Sequence, residues 1–151
     1  MHISITELNI QDYSKCSNIW DMNKHKSLAD KFYDEIISGN RRTYIYSIDD
    51  EYIAEISLVY EMNDIDYTIP STRAYVSRLI VKKGFRQQGI GKELVKFIKT
   101  KAKEEGFSEL AIGVDLDNYP ALRLYITTGF TQIIRIDEDE QGKFMKVLCV
   151  L

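Results

Sequence analysis
The stretch Val76-Ser-Arg-Leu-Ile-Val-Lys-Lys-Gly-Phe-Arg-Gln-Gln-Gly-Ile-Gly-Lys-Glu-Leu-Val95 sets a glycine-rich turn between a strand and the opening of a helix. Ala74 to Val81 is rich in β-branched and apolar residues, and Lys82, Lys83 and Gly84 end it. From Gly89 onward, Ile90, Leu94, Ile98 and Ala102, with Val95 alongside, recur at helical spacing until Gly106 supplies the stop. A helix start carries unsatisfied N–H groups and partial positive charge, and glycines let an anion approach the backbone closely. The turn is therefore a candidate phosphate cradle. It is not a P-loop, because Ile90 and Gly91 stand where Lys and Ser/Thr are required after Gly84 and Gly89. Nor is it a dinucleotide fingerprint, because Leu94 occupies the position of the third glycine after Gly89 and Gly91.

Working outward, Ile3 to Leu8 alternates as a strand does, and helical stretches follow around Ile10 to Met22 and Leu28 to Ser38, the second ended by Gly39-Asn40. Arg42 to Ile48 and Glu51 to Met62 form a hairpin turning at Asp49-Asp50, and Asn63 to Thr72, with Pro70, is a loop. Past the long helix come a strand at Glu109 to Val114 and a short helix capped by Asp117 or Asn118, with Pro120 in its first turn. A hairpin of Phe130 to Ile136 and Phe144 to Val150 closes the order, the acidic run Asp137 to Glu140 lying at its tip. This is an α/β (mixed α+β) pattern, made partly parallel by the crossover between residues 74 and 114.

Composition narrows the function classes. The 151 residues are 44% hydrophobic and 28% charged, the balance of a single domain over 1–151 with a real core, and no linker or repeat interrupts them. No apolar run is long enough for a bilayer span and Met1 to Ile10 lacks signal-peptide character, so a cytoplasmic protein is expected. Cys16 and Cys149 are far apart and read as reduced thiols, and with only His2 and His25 a His-based metal centre or a Ser-His-Asp triad is difficult to assemble, although a lone His could serve. A net charge of −3 gives no general attraction to nucleic acid or anionic membrane. Locally the picture differs: Arg78, Lys82, Lys83, Arg86, Lys92, Lys96, Lys99, Lys101 and Lys103 are offset only by Glu93, which either draws a polyanion or is a solvated helix face.

Arg86-x-x-Gly89-x-Gly91, after the strand end Leu79-Ile80-Val81, resembles the pyrophosphate loop of GCN5-related N-acetyltransferases. Asn118-Tyr-Pro-Ala121-Leu-Arg-Leu124-Tyr125-Ile-Thr-Thr-Gly129-Phe130 resembles a second segment of the same family at every marked position. The two lie in the family's order and spacing, and the resemblance covers Ala74 to Ile134. It implies an acyltransferase fold with a central mixed sheet of six to seven strands and helices on both faces. It also implies acetyl-CoA as cosubstrate and no metal.

Carried over residue by residue, the resemblance assigns the pantetheine arm to main-chain groups of Leu79, Ile80 and Val81. The pyrophosphate goes to the amides of Gln87, Gln88, Gly89, Ile90, Gly91 and Lys92, with Arg86, Lys82, Lys83 or Lys92 adding charge. Asn118 would touch the pantetheine arm or simply cap its helix. Tyr125 would protonate the departing thiolate, its competing role being that of a buried structural tyrosine.

The base departs from the family pattern. Relatives often carry a carboxylate just before the Leu-x-Val strand end, where this chain has Ser77 and Arg78. Glu55 is the substitute, with Glu61 or ordered water as alternatives, against the plainer role of carboxylates on a solvated strand face. Arg78 would bind an acceptor carboxylate or pair with a neighbouring acid, and Glu61, Asp64 and Asp66 with Tyr60 and Tyr67 would form an acidic, aromatic rim for a cationic amine. Tyr13 and Trp20 fit either core or pocket wall. The expected activity is acetylation of a primary amine on a small molecule. Acetylation of a protein lysine or N-terminus, and a non-catalytic CoA-binding sensor, are the alternatives. The partners are acetyl-CoA and the amine acceptor, without nucleic acid or membrane, and a homodimer is among the assemblies open to it.

Overall fold
A computed structural model describes all 151 residues. In chain order they form β1 (Ile3–Glu7), a 3-10 helix (Ile10–Asn18), α1 (Lys26–Ile37), β2 (Arg41–Ile48), β3 (Glu51–Val59), β4 (Arg73–Val81), α2 (Ile90–Glu104), β5 (Glu109–Asp115), α3 (Tyr119–Thr127), β6 (Phe130–Asp139) and β7 (Gly142–Val150). The seven strands follow the order β1-β2-β3-β4-β5-β7-β6. β4 and β5 run parallel, joined through α2 as a crossover requires, while β1 with β2, β5 with β7 and β6 with β7 are antiparallel. The chain divides into two compact units, Met1–Leu58 with Ser77–Leu94, and Val59–Val76 with Val95–Leu151.

In the first unit β1 pairs β2 from Ile3 with Ile48 to Glu7 with Tyr44. The β2–β3 turn falls at Asp49 and Asp50, whose φ of 49° and 67° are what a two-residue hairpin of this twist demands and what Asp tolerates. The expected helix over residues 10 to 22 is instead a tight 3-10 helix ending at Asn18. Its Asn9 cap accepts from the Gln11 amide at 3.0 Å, and the polar, turn-forming residues that follow compete with α-helical bonding. Leu8, Cys16, Ile19, Trp20, Ala29, Phe32 and Ile45 form one apolar cluster here, flanked by Tyr13, Met22, Leu28, Ile36, Tyr52 and Ile80.

β4 begins with regular alternation and then loses it. Val76 and Ser77, adjacent in sequence, are both buried, and the next residue, Arg78, has a left-handed φ of 59° that a strand ordinarily excludes. α2 behaves as its sequence dictates: Ile90, Leu94, Val95, Ile98 and Ala102 are all 4% exposed or less.

In the second unit β5 pairs β7 from Glu109 with Val150 to Asp115 with Phe144, and β6 pairs β7 through two register shifts. The acidic run is less of a tip than expected. β6 extends through Asp139, which pairs with Gly142, so only Glu140 and Gln141 turn. The Tyr67 ring tilts against Tyr75 at 4.6 Å, and a Cβ at Gly113 would strike its hydroxyl. Gly113→Ala is therefore expected to cost about 1–3 kcal/mol, and adding Tyr67→Phe to recover part of it, by urea denaturation of the unsubstituted protein and the two variants. A stable Gly113→Ala single variant would mean that the ring yields freely.

Candidate active site
The glycine turn is shaped for anions by its own chain. β4 ends at Val81, Phe85 N–H closes on the Lys82 carbonyl at 3.0 Å, and Arg86 folds back so that its Nε donates to the Val81 carbonyl at 3.0 Å. Gln87 and Gly89 both take positive φ, 63° and 84°, and at Gly89 a glycine serves that conformation without strain. The first helical bond runs from the Glu93 amide to the Gly89 carbonyl at 3.1 Å, so the amides preceding Glu93 at the start of α2 are the ones a helix cannot satisfy itself. Successive exposed residues from Arg86 to Gly89 surround them, with Lys92 exposed one turn on. This geometry fits a diphosphate. Of the flanking lysines, Lys82 is spoken for: its Nζ donates to Asn18 Oδ1 at 3.0 Å and pairs with Glu51 at 3.2 Å. Lys83 is exposed. Leu79, Ile80 and Val81 are half-buried at the end of β4.

Also in the first unit is a buried polar cluster that the sequence only partly announced. Glu55, on β3, is 4% exposed and accepts the Trp20 indole N–H at 2.7 Å. It is not on a solvated strand face. Burial pushes its carboxyl up to about 7, while the Trp20 hydrogen bond and the charges of Arg78 and Arg41 pull the other way. Arg41 is buried too, stacked 3.8 Å over Phe32, paired with Glu35 at 3.3 Å and donating to Ser77 Oγ at 3.0 Å. Arg78 lies 4.3 Å over the Trp20 ring and 6.0 Å from Phe32. Its Nε is buried and donates to no protein atom. Nothing in the sequence marks Arg41, because a charged residue at the start of a strand looks like a solvated one. Beside Trp20 opens a cleft of about 430 Å³ lined by Ser17, Asn18, Asp21, Asn23, Lys82 and Lys83 among others.

In the second unit α3 carries Asn118 and Tyr125. Asn118 is the N-cap, its side chain accepting from the Ala121 amide at 3.3 Å, and it is exposed. The capping role is thus the one seen. Tyr125 is 7% exposed, edge-on to Phe130 at 5.7 Å, and burial, with a smaller contribution from Tyr75, holds its phenol well above the ordinary tyrosine range. The proposed cationic-amine rim has other occupants. Asp64 and Asp66 take Lys146 at 2.8 and 3.2 Å, Asp66 also takes Arg135 at 3.2 Å, and Tyr60 donates to Glu105 at 2.8 Å while stacking on Phe107. These acids neutralise the protein's own cations, so they do not form an open acidic rim. No group of His, Cys, Asp and Glu is arranged to hold a metal, and no helix is long and apolar enough to cross a membrane. Cys16 and Cys149 are free and buried.

With that geometry in hand, the comparisons with known proteins are direct. The description of the acetyltransferase (GNAT) family matches residues 4–130. This chain belongs to that family. The chloroplastic GCN5-related N-acetyltransferase 4 of Arabidopsis thaliana is 38% identical over 60 residues, which are 40% of this chain and 21% of that protein. The chain thus spans about a fifth of the length of the Arabidopsis relatives it matches. An uncharacterized N-acetyltransferase in the pepI 3' region of Lactobacillus delbrueckii subsp. lactis is 26% identical over 77% of this chain and 69% of its own. Among solved structures, the PaiA N-acetyltransferase of Thermoplasma acidophilum, in complex with coenzyme A, superposes with a TM-score of 0.71 at 19% identity over all of both chains. The fold is the one these acetyltransferases share.

The buried carboxyl makes stability depend on pH. Glu55 titrates near 4.5 when unfolded and about 7 when folded, so folding takes up a proton between those values. Stability from this group is full below about 4.5, falls as pH rises toward 7, and is level above, a loss on the order of 3 kcal/mol. Glu55→Gln should remove that slope. Denaturation of both proteins at pH 5 and pH 8 measures it, and parallel pH dependences would show that Glu55 does not titrate in this interval.

Proposed function
We propose that this chain is an acetyl-CoA-dependent N-acetyltransferase that passes the acetyl group directly to a primary amine of a small-molecule acceptor, through a tetrahedral intermediate. What supports the proposal is the joint presence of the two family segments in the fold. One is the glycine turn with amides presented at the start of α2; the other is α3 with Tyr125 buried and held protonated. The relatives named above are acetyltransferases, and one of them is a coenzyme A complex.

In this proposal the amides of Gln87 to Lys92 hold the diphosphate, and Arg86 braces the loop from the Val81 carbonyl. Main-chain groups of Leu79, Ile80 and Val81 take the pantetheine arm as they would a neighbouring strand. The acceptor arrives protonated at neutral pH and must lose a proton before its nitrogen can bond to the thioester carbon. Glu55 takes that proton, its affinity raised to about 7 by burial. When the C–S bond breaks, Tyr125 gives its proton to the thiolate, which a phenol of ordinary acidity or weaker can do at neutral pH, and the second proton that the nitrogen loses as it becomes an amide restores the phenol.

Tyr125→Phe should lower turnover by about a hundredfold or more while changing acetyl-CoA affinity by less than about threefold. Equal turnover would take Tyr125 out of the chemistry. Gly91→Val places a β-branched side chain among the loop amides, and should weaken acetyl-CoA by about tenfold or more without unfolding the protein. Calorimetry with acetyl-CoA tests it, and unchanged affinity would refute the loop assignment. Thiol release across a panel of small amines tests the activity as a whole. An enzyme directed at proteins ignores the panel, and a coenzyme A sensor releases no thiol from any acceptor.

A further inference from the structure
Arg78 is the one cation of the first unit held at cost and without an anion. Its backbone sits at φ 59°, a left-handed conformation that costs a non-glycine residue about 1 kcal/mol or more. Its guanidinium is fixed over Trp20, and its buried Nε has no acceptor, a deficit of about 1–3 kcal/mol or more for a charged donor. Arg41 shares such a deficit at Nη1 but has Glu35 and Ser77 on its other nitrogens. The nearest carboxyl to act on Arg78 is Glu55, which attracts it but makes no ion pair with it and is committed to the Trp20 N–H. Strain of this kind persists only where the surrounding structure enforces it, and it clusters at binding and catalytic sites.

Resting on the acetyltransferase reading, we propose that Arg78 receives the carboxylate of the acceptor, so that the substrate is an amine carrying its own carboxylate, of amino-acid type. A guanidinium offers a planar fork that matches a carboxylate, and its stack on Trp20 sets the plane in advance. The group taken is singly charged. Glu55 lies on one side of Arg78 and Asp21 lines the adjoining cleft, so a dianion such as phosphate would bring more negative charge than one guanidinium balances. The acceptor's ammonium is then directed to Glu55, the carboxylate that takes its proton in the proposed mechanism. Two sources share that chemistry: a free amino acid, and the C-terminus of a short peptide.

Trp20 is the only tryptophan of the chain, so its fluorescence reports on the Arg78 stack. The full chain is titrated without acetyl-CoA with L-lysine against cadaverine, L-ornithine against putrescine, trialanine with a free against an amidated C-terminus, and inorganic phosphate. Acetylation of the three amine pairs is then followed by thiol release. The carboxylated member of at least one pair is expected to perturb Trp20 and to exceed its partner in kcat/KM by about tenfold or more, the scale of one charge-assisted contact. Arg78→Gln should narrow that ratio to within about threefold through KM, and Arg78→Lys should restore it in part. Preference for the amino acids or for the free-ended peptide identifies the source. Equal response to both members of every pair, or a stronger response to phosphate, overturns the inference, and this comparison stands on the unsubstituted protein should Arg78→Gln fail to fold. Failure of acetyl-CoA to bind by calorimetry sinks the acetyltransferase reading instead, while the Trp20 titration still decides the carboxylate site.

Discussion
A helix cannot satisfy its own first amides, and the position of α2 is fixed by something it cannot trade away: the burial of Ile90, Leu94, Val95, Ile98 and Ala102. Each of the larger side chains is worth roughly 1.5–3 kcal/mol when buried. Sliding the helix start by one residue would rotate this stripe by about 100° and expose it. The amides before Glu93 are thus placed by apolar packing several turns away, which leaves the turn itself free to be glycine-rich, exposed and polar. Its shape is closed from inside the turn, through Arg86 on the Val81 carbonyl and Phe85 on the Lys82 carbonyl. A site made of main-chain N–H groups would need few specific side chains, which is consistent with so short a motif.

The first unit also spends stability on charge. Arg41, Glu55 and the Nε of Arg78 are withdrawn from water among Trp20 and Phe32, and only Arg41 and Glu35 make a direct ion pair. Desolvating such groups costs several kcal/mol each, and a cluster of similar volume made of Leu and Met would be the more stable core. Hydrogen bonds from Trp20 to Glu55 and from Arg41 to Ser77 offset part of this, and cation–π contact adds about 1–2 kcal/mol per desolvated stack. The cluster is better explained by what it can bind and titrate than by what it holds together.

Local periodicity carried most of the fold. The α2 stripe, the Asp49-Asp50 hairpin, the Asn118-Pro120 helix start and the parallel crossover are each dictated by residues within a few positions of one another, and the structure has them. What escaped were facts set by distant partners. The residues at 10 to 22 carry a helical apolar spacing, yet Asn9 and the polar residues after it settle as a 3-10 helix. Asp64 and Asp66 sit in an ordinary polar loop by sequence, and only the fold brings Lys146, 80 residues away, to pair with them. Arg78 has no local signal for a left-handed φ, since arginine is not among the residues that favour it. Glu55 alternates in a strand as a solvent-facing acid would, but β3 is buried without interruption from Ile53 to Val59, so the alternation carries no information about exposure there.

One physical cause, removal of water, acts on both Glu55 and Tyr125, the groups proposed to take and to give a proton. Burial disfavours the charged form of any acid, so it raises the affinity of Glu55 and of Tyr125 alike for their protons. For a carboxyl that ordinarily titrates near 4.5, the rise stops at about 7, where it is a competent proton acceptor that is still substantially ionised at neutral pH. For a phenol that starts near 10, any rise ensures that the proton is present when a thiolate needs it. Neither group needs a dedicated charged neighbour to reach its state, and the counteracting cations beside Glu55 keep its shift from going further. In the proposed mechanism the proton states of acid and base therefore both follow from where β3 and α3 bury their side chains.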